Sequence, residues 1–348
     1  MSPYAQARPD PRFPALVKTE RKARTEAPVA TLGIDISKQT FNAHLSSEKG
    51  EAKKSFPNSI VGFKQLEAWL RNRKVDRAAV CMEATGSYWE ALALHLTEAG
   101  HPVSVVNPAR IKAYAQSELL RAKTDAVDAA LIARFAQAQR PETWVPPAPE
   151  TRHLQALSRH VEHLRSRRAE EEVRLQIPGL PVDVERSTRE IIVKLDQEIK
   201  RTEELIEDHF DQHPNLKSKR DLLVSIPGIG RQTASSILAE IPKIAEFRSS
   251  KAVAAFAGLT PKTRESGASI RGRGHICKTG NARLRKALYM PALTARRFNA
   301  SLRAFGDRLA AAGKRRMVII VAIMRKMLVL AYGVLRSGRP FEAKAACA

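Results

Sequence analysis

The sequence has few cysteines and no apolar leader, and both shortages exclude classes of protein. Of its 348 residues only three are cysteines, and no two of them form a CxxC pair: Cys81, Cys277 and Cys347. This excludes a zinc-finger ligand set and a disulfide framework, and it is typical of a reducing cytoplasm. The first thirteen residues, MSPYAQARPDPRF, are polar and do not resemble a secretory signal. The most apolar segment, residues 317–335, carries Arg325 and Lys326 at its centre, which favours a buried helix over a membrane span.

Acidic residues are scarce as well. The chain has 59 Lys and Arg against 36 Asp and Glu, a formal net charge of +23, and such an excess indicates a polyanionic partner, most often nucleic acid. Residues 266–306 contain no acidic side chain at all. We predict that this segment binds a nucleic-acid backbone with an affinity that falls as salt rises. Few aromatic residues interleave with its basic ones, so we expect no extensive base stacking by the segment.

The first half of the chain reads as a tail followed by an α/β domain. Residues 1–28 are polar, charged and proline-containing, which predicts a mobile tail. Alternating apolar and polar residues on both sides of a Ser-Lys-Gln turn predict a β-hairpin in ATLGIDISKQTFNAHLS. Helix, strand, helix, strand and further helix then follow in IVGFKQLEAWLRNR, DRAAVCME, SYWEALALHLTEAG, PVSVVN and the sequence through Phe135. This order predicts a layered α/β domain at residues 29–145, closed by the prolines of TWVPPAPE.

Residues 146–215 read as two charged helices separated by IPGLP. Apolar residues recur at helical spacing in both, with one polar gap at Thr202: Leu154, Leu157, Val161 and Leu164, then Ile192, Leu195, Ile199 and Ile206. This pattern predicts a helical hairpin or a coiled-coil arm. A plain amphipathic pair packed within the domain fits the same residues.

The remaining residues, 216–340, read as a mainly helical domain. Its first segment, LLVSIPGIGRQTASSILAEI, resembles a helix-hairpin-helix element with a Pro-Gly-Ile-Gly turn. Gly228 and Gly230 would let the backbone approach a phosphate, and the helix that follows would offer free N–H groups. An ordinary turn is the alternative interpretation, and the strong positive charge of the chain favours a DNA contact.

Four acidic residues occur in motifs of their own: Asp35 in GIDIS, Glu83 in MEATG, and Asp125 and Asp128 in KTDAVDA. Asp35 lies on the first predicted strand and Glu83 ends a later one, and the carboxyl ends of strands commonly line the functional crevice of an α/β sheet. Thr124 is a suitable N-cap for a helix with both aspartates on one face. Clustered carboxylates either raise their pKa values or bind hard cations such as magnesium. Taken singly, each acid also fits a helix-dipole, turn, strand-end or solvated position.

Motifs along most of the chain resemble those of the DEDD transposases, which are bacterial insertion-sequence recombinases of the IS116/IS902-like group. They are GIDISKQTF, MEATGSYWEAL, VNPARIKAYAQSELLRAKTDAVDAALIARF, SIPGIG and FAGLTPKTRESGASIRGRGHICKTGNARLRKAL. The resemblance implies an RNase H-like (RuvC-like) domain, a coiled-coil arm and a C-terminal transposase domain. It makes Asp35, Glu83, Asp125 and Asp128 the metal-binding acids, with Mg²⁺ as the cofactor and Mn²⁺ as an alternative.

The resemblance also implies a nucleophilic serine, Ser266 in RESGAS, with Ser269 as second choice. The serine would attack a DNA phosphodiester and form a covalent link while the acids and metal assist. The nucleic-acid-binding residues expected in this domain are Gly228, Gly230, Arg271, Arg273, Lys278, Asn281, Arg283 and Arg285. Asn281 is alternatively an N-cap for the helix beginning ARLRKAL. The sequence departs from the family pattern at Cys277, where a serine is expected.

The partners implied by the resemblance are DNA, a guide (bridge) RNA encoded beside the element, and further copies of the chain. A dimer or tetramer would join the RuvC-like domain of one subunit to the transposase domain of another. The expected location is cytoplasmic and nucleoid-associated, with no membrane partner. Two alternatives to this recombinase remain open: a RuvC-like junction endonuclease using metal-activated water, and a non-catalytic basic nucleic-acid-binding protein.

Overall fold

The computed structural model describes residues 30–84, 86–118, 125–262, 265–266, 270–271 and 275–342, so the predicted tail at residues 1–28 lies outside it. At residues 125–127, 262, 265–266, 270–271 and 275 the description covers the backbone alone. The chain divides between Pro146 and Pro147 into two compact units. The first is an α/β unit and the second is mostly helical, which confirms the predicted order of the two classes of structure.

The first unit is a five-stranded mixed sheet with helices on both faces. Its strands are β1 Ala30–Ile36, β2 Thr40–Ser47, β3 Gly50–Pro57, β4 Ala78–Glu83 and β5 Val103–Val106. Its helices are α1 Ile60–Asn72, α2 Glu90–Glu98, α3 Pro108–Ser117 and α4 Asp125–Gln139. The strand order is β3-β2-β1-β4-β5; β1, β2 and β3 are antiparallel neighbours, whereas β4 and β5 run parallel to β1.

The two faces of this sheet have different apolar layers. On one face Leu32 and Ile34 of β1 pack in a core that includes Phe63 and Leu66 of α1 and residues of α2. On the other face Cys81 of β4 belongs to a smaller cluster with residues of α3 and α4. The alternation of side chains along β1 sends every second residue to each layer, as a strand buried on both faces requires.

Strand β3 is an addition to the sequence-based prediction, which had only a hairpin at this point. Its sequence, GEAKKSFP, is polar, and most of its side chains are exposed. It pairs with β2 along its whole length at the edge of the sheet. Lysines are common on edge strands because they discourage pairing with another chain, and they also removed the apolar alternation that would have revealed the strand.

The second unit contains eight α-helices and four two-residue strands among its described residues. The helices are α5 Pro149–Arg174, α6 Val182–Gln212, α7 Pro214–Val224, α8 Arg231–Glu240, α9 Ser250–Phe256, α10 Ala282–Phe298, α11 Ala300–Ala311 and α12 Arg316–Ser337. The strands are β6 Pro261–Lys262, β7 Glu265–Ser266, β8 Ile270–Arg271 and β9 His275–Ile276. They form two antiparallel ladders, β6 with β9 and β7 with β8.

Helices α5 and α6 form an antiparallel pair. Arg168 of α5 lies within ion-pair distance of Asp196 of α6, and nearer the base of the pair the ring of His209 bonds the Glu150 carbonyl at 2.8 Å. Thr202, the polar gap in the apolar spacing, is buried in the seam, where its hydroxyl donates to the carbonyl of Glu198 on its own helix at 2.7 Å. The predicted helical hairpin is therefore present, while its designation as a coiled coil stays a prediction.

Helix α12 is the central helix of the second unit. Nine of its residues are buried, including Ile323, Met327 and Leu328, and they join the apolar core with residues from α7 to α11. It is also the one helix of the described chain that is long and apolar enough to cross a membrane. Such helices also form the cores of soluble domains, and half of the apolar window of α12 is buried within the unit.

Candidate active site

The register of β1 and β4 places two of the predicted acids side by side at one end of the sheet. The strands run in parallel with Ile34 opposite Met82, so the next residues, Asp35 and Glu83, occupy matching positions on one face of the sheet. Neighbouring strands lie about 4.8 Å apart, so the two carboxyl groups start from adjacent backbone positions. Both residues are half-buried, and both lie at the carboxyl ends of their strands.

Helix α4 packs directly on the face that carries these two acids. A Cβ added to Gly33, which lies two residues before Asp35, would come within 2.2 Å of the Ala129 carbonyl oxygen and 2.4 Å of the Ala133 nitrogen. The backbone of the helix therefore rests on the strand, which only glycine permits. The small alanines on α4 keep this approach open from the other side.

The direction of α4 places its first turn near the acid pair. Further along the helix, Gln137 Nε2 is 2.9 Å from Ser46 Oγ, and Ser46 pairs with Thr31 near the start of β1. The helix thus runs from the carboxyl end of β1 towards its amino end. Its first turn, with Asp125 and Asp128, lies at the end of the strand where Asp35 is found.

The two aspartates of α4 differ in what the structure describes of them. Asp128 directly precedes Ala129, the residue in contact with Gly33, and its side chain is half-buried. For Asp125 the backbone is described, whereas its side chain and the predicted N-cap Thr124 lie outside the described residues. Among the described side chains no group of three or more metal-ligating residues is found. Carboxylate oxygens are nevertheless the ligands that Mg²⁺ prefers, so the residue types at this sheet end fit that ion.

An apolar layer lies beneath the acids. Cys81, on the same face as Glu83 and two residues before it, is buried against α3 and α4. Burial raises the pKa of its thiol to about 12, against a smaller lowering by the nearby Arg110 guanidinium. The guanidinium of Arg110 lies 5.2 Å from the ring centroid of Phe135 on α4. Cys81 is therefore a neutral packing residue, and the acids lie next to an apolar layer.

Asn58 braces the loops that follow both acids, and sequence reasoning missed it. Its side-chain Nδ2 donates to the Ser37 carbonyl at 3.0 Å and to the Tyr88 carbonyl at 3.2 Å. One bond reaches the turn after β1 and the other the loop after β4. The only sequence signal for this role is a turn-forming Pro-Asn-Ser step, which is common in loops of every kind.

In the second unit, Ser266 lies on a short hairpin. It ends β7 and pairs with Ile270 of β8, and the β6–β9 ladder forms the base of the same chain reversal. The side chains of Ser266 and Arg271 are outside the described part, as are Ser269 and Arg273 altogether. The placement of the serine is thus known for its backbone alone.

In the segment after this hairpin, two residues predicted to contact nucleic acid form hydrogen bonds to other parts of the protein. Asn281 caps α10, since its Oδ1 accepts from the Leu284 nitrogen at 2.9 Å and its Nδ2 donates to Glu240 at 2.6 Å. The guanidinium of Arg285 donates to the carbonyl oxygens of Ala257 and Gly280.

The two other basic residues predicted in this segment lie at the surface. Arg283 is 3.9 Å from Glu162, a marginal ion pair. Lys278 is exposed and adopts a left-handed backbone with φ of 56°. Both cations therefore remain accessible to a ligand in solution.

The predicted Pro-Gly-Ile-Gly turn joins α7 to α8. Gly228 has a φ of +101°, and a Cβ there would lie 2.6 Å from the Cβ of Ala295 on α10. Gly230 is the exposed N-cap of α8, which has no side-chain cap. The turn is therefore held against α10, and α8 begins at an exposed residue with no side chain capping its first amide groups.

Comparison with known proteins identifies the relatives of the chain. Residues 220–307 match a family described as "Transposase IS116/IS110/IS902 family", and residues 32–177 match a second family described as "Transposase". A pilin gene-inverting protein of Moraxella bovis is 36% identical over 315 residues, which cover 89% of this chain and 97% of that protein. A transposase for insertion sequence element IS1111A of Coxiella burnetii is 26% identical and covers 77% and 78%. The chain belongs to the IS116/IS110/IS902 family of transposases, enzymes that cut and rejoin DNA.

Proposed function

We propose that this transposase cuts DNA through a covalent link to Ser266, assisted by Asp35, Glu83, Asp125 and Asp128. The observation that carries the proposal is the convergence at one sheet end of the β1 and β4 termini and the first turn of α4. We infer an RNase H-like domain in the first unit, and its antiparallel β1-β2-β3 edge with parallel β4 and β5 supports this inference. Domains of this class commonly work on phosphodiesters.

The four acids would hold divalent magnesium, or manganese as an alternative. The bound ion would stabilise the attacking and leaving oxygens of a phosphoryl transfer. Asp35 and Glu83 come from adjacent strands whose spacing is fixed by the sheet, and the α4 acids approach from a helix whose backbone touches Gly33. This arrangement would fix the backbone positions of the four acids before the substrate arrives, which would reduce the reorganisation required during reaction.

The serine step can be written with all bonds accounted for. The Ser266 Oγ attacks a phosphorus atom of DNA, the Oγ–P bond forms, and the bond from phosphorus to a deoxyribose oxygen breaks. The serine proton is lost to a base, and the leaving deoxyribose oxygen takes up a proton. Attack by another deoxyribose hydroxyl reverses these events and joins a new strand. Arg271 and Arg273 would hold the phosphate near the serine.

The partners of this reaction are DNA and, we propose, a guide RNA and further copies of the chain. Forty-one consecutive residues, 266–306, lack any acid, which suits a protein that neutralises two nucleic acids at once. The Moraxella relative is named for the inversion of a pilin gene, a rearrangement of DNA. In the proposed oligomer, Ser266 of one copy works with the acids of another, and the protein acts on the nucleoid in the cytoplasm.

The test is a denaturing gel of full-length protein incubated with Mg²⁺, labelled element-end DNA and RNA from the element flank. We expect a covalent protein–DNA adduct that disappears in Ser266→Ala and persists in Ser269→Ala. Because a metal ion contributes several kcal/mol to phosphoryl transfer, Glu83→Gln should slow adduct formation on the order of a thousand-fold. Asp76→Asn, the matched control, removes an exposed acid just before the start of β4 and should react normally.

Four outcomes would contradict this proposal. Cleaved DNA without an adduct, made equally well by Ser266→Ala, would indicate a hydrolase that uses metal-activated water. An adduct that moves to Ser269 would reassign the nucleophile. Full activity in Glu83→Gln would remove the acid cluster from the mechanism, and binding with no reaction in any variant would leave a nucleic-acid-binding protein.

A further inference from the structure

The corner between α10 and α11 exposes an aromatic side chain. Helix α10 ends at Phe298 and α11 begins at Ala300, so Asn299 alone joins them. Asn299 is 3% exposed and caps α11 through a bond from the Leu302 nitrogen to its Oδ1 at 3.1 Å. Phe298 is 73% exposed, the highest value among the large hydrophobic side chains that the structure describes. A ring so accessible to water, beside a residue so firmly anchored, suggests a binding partner for the ring.

Two arginines lie at the same corner of the fold as this ring. Arg297 and Arg303 are both exposed. The Arg303 guanidinium donates to the Arg297 carbonyl oxygen, and its backbone nitrogen donates to the Asn299 carbonyl at 2.8 Å, so it stays next to the corner. Asp307 is the only acidic residue in the sequence between residues 282 and 341, and it lies 3.9 Å from Arg296. An apolar ring among cations with so little opposing charge fits a ligand that is both aromatic and anionic.

The same corner packs on the glycine-rich turn between α7 and α8. Asn299 Nδ2 donates to the Pro227 carbonyl at 3.2 Å, and Ala295 lies against Gly228. One turn of α10 separates Ala295 from Phe298. The amide groups at the start of α8 have no side-chain cap and suit a phosphate, and they lie on the part of the unit that carries the ring.

We propose that Phe298 stacks on a base of the DNA, while Arg297, Arg303 and the α8 amides hold the neighbouring phosphates. The inference rests on the action of the family on DNA and does not need the serine or the metal. A base in an intact duplex already stacks on its neighbours, so the ring would contact DNA where the duplex is open, as in a single strand or a branched intermediate. The basic segment still lacks an extended row of aromatics, and Phe298 supplies a single platform.

The test measures binding by fluorescence anisotropy with full-length protein, without Mg²⁺, on a fluorescein-labelled single-stranded oligonucleotide and its duplex. From typical base–aromatic stacking, Phe298→Ala should weaken single-strand binding about tenfold and duplex binding much less. Phe298→Trp should bind as the parent does, whereas Phe298→Leu, apolar but without an aromatic face, should resemble the alanine variant. A salt titration separates charge from stacking: Arg297→Gln should lower the salt slope by about one, and Phe298→Ala should leave it unchanged.

The control is Val182→Ala, which removes an apolar side chain that is 69% exposed at the start of α6 and should bind normally. Because no reaction is measured, failure of the serine mechanism would not affect the result. Parental binding by Phe298→Leu, or by Phe298→Ala on single strands, would overturn the proposal. If Phe298→Ala instead changes the oligomeric state in sedimentation at unchanged DNA affinity, the ring is covered by a second copy and the proposal is wrong.

Discussion

The two units carry the residues proposed for catalysis on very different supports. In the first, Asp35 and Glu83 lie on paired parallel strands of a five-stranded sheet, and the other two acids come from a helix in direct backbone contact with that sheet. In the second, Ser266 ends a two-residue strand at the edge of a short hairpin. This difference fits the proposed function, in which the acids share a metal ion and would need fixed mutual distances. The proposed nucleophile has only to reach a phosphate, and a short hairpin would be enough to carry it.

The first unit and the basic segment at residues 266–306 also differ in charge. Asp35 and Glu83 of the first unit lie on the same face of the sheet as an apolar layer that contains the neutral thiol of Cys81. Residues 266–306 of the second unit have no acid at all. In the proposed mechanism the acids would repel DNA in the absence of their metal ion, and the basic segment would offset that repulsion. This division of labour predicts that changes in the first unit affect rate, whereas changes in the basic segment affect affinity.

The largest expected loss of stability and of adduct formation comes from displacing α4, the helix that carries two of the proposed acids. In Gly33→Ala the added methyl would overlap the Ala129 carbonyl, so α4 must move away from β1. We expect a loss of about 3 kcal/mol in the free energy of unfolding, at the upper end for overpacked sites. Adduct formation should fall further than stability alone explains, because Asp125 and Asp128 move with the helix. Thermal unfolding and the adduct gel together measure both losses.

Gly100→Ala is the control for this variant. Gly100 has a φ of +90° but nothing lies within 4 Å of an added Cβ. Alanine there strains the backbone by about 1–2 kcal/mol without touching α4. Reaction at the parental rate in Gly100→Ala, with a large loss in Gly33→Ala, would tie the rate to the position of α4. An equal rate loss in both variants would show that α4 packing has no special role.

A moderate effect on the pH dependence of stability is expected from Cys81, and the thiols of the two units should differ in their reactivity. Burial raises the pKa of Cys81 from its ordinary 9.0 to about 12, whereas Cys277 of the second unit is exposed. The folded state therefore favours neutral Cys81, and the resulting stability is complete below pH 9 and declines as pH rises from 9 towards 12. Cys81→Ala should remove this part of the pH dependence. Iodoacetamide at pH 8, followed by peptide mapping, should label Cys277 and spare Cys81; equal labelling of the two would contradict the burial of Cys81.

Sequence periodicity predicted the local elements well. The strands β1, β2, β4 and β5 and the helices α1, α2, α5 and α6 were found where alternating or helical spacing predicted them. Their signal is local, since it depends on which side of a single element is buried. Strand β3 escaped because its lysines face water on the sheet edge. The sequence also offered Asn281 as an N-cap, and in the structure its side chain accepts a hydrogen bond from the first turn of α10.

Relations between distant segments could not be read in the same way. The motifs named Asp35 and Glu83, but only the pairing of β1 with β4 shows that they share a register. The role of Gly33 depends on a helix almost a hundred residues later, and that of Asn58 depends on two loops. The helical spacing around Phe298 does not predict that α10 ends there or that its ring is exposed at the turn into α11. Such features arise from tertiary contacts, which leave no periodic mark in the sequence.

The smallest expected effect concerns the helical pair, where a polar residue occupies a buried seam. Thr202 is 4% exposed, and its hydroxyl bonds only within α6 among the contacts described, to the Glu198 carbonyl. That carbonyl also accepts the helical backbone bond, so Thr202→Val leaves no buried group unsatisfied and adds a methyl to the seam. We expect unfolding free energy to change by less than about 1 kcal/mol, towards greater stability. A loss above about 2 kcal/mol in thermal unfolding would mean that the hydroxyl has a partner beyond its own helix. Thr188, 2% exposed and bonded to Val184 in the same way, is the matched second site and should respond alike.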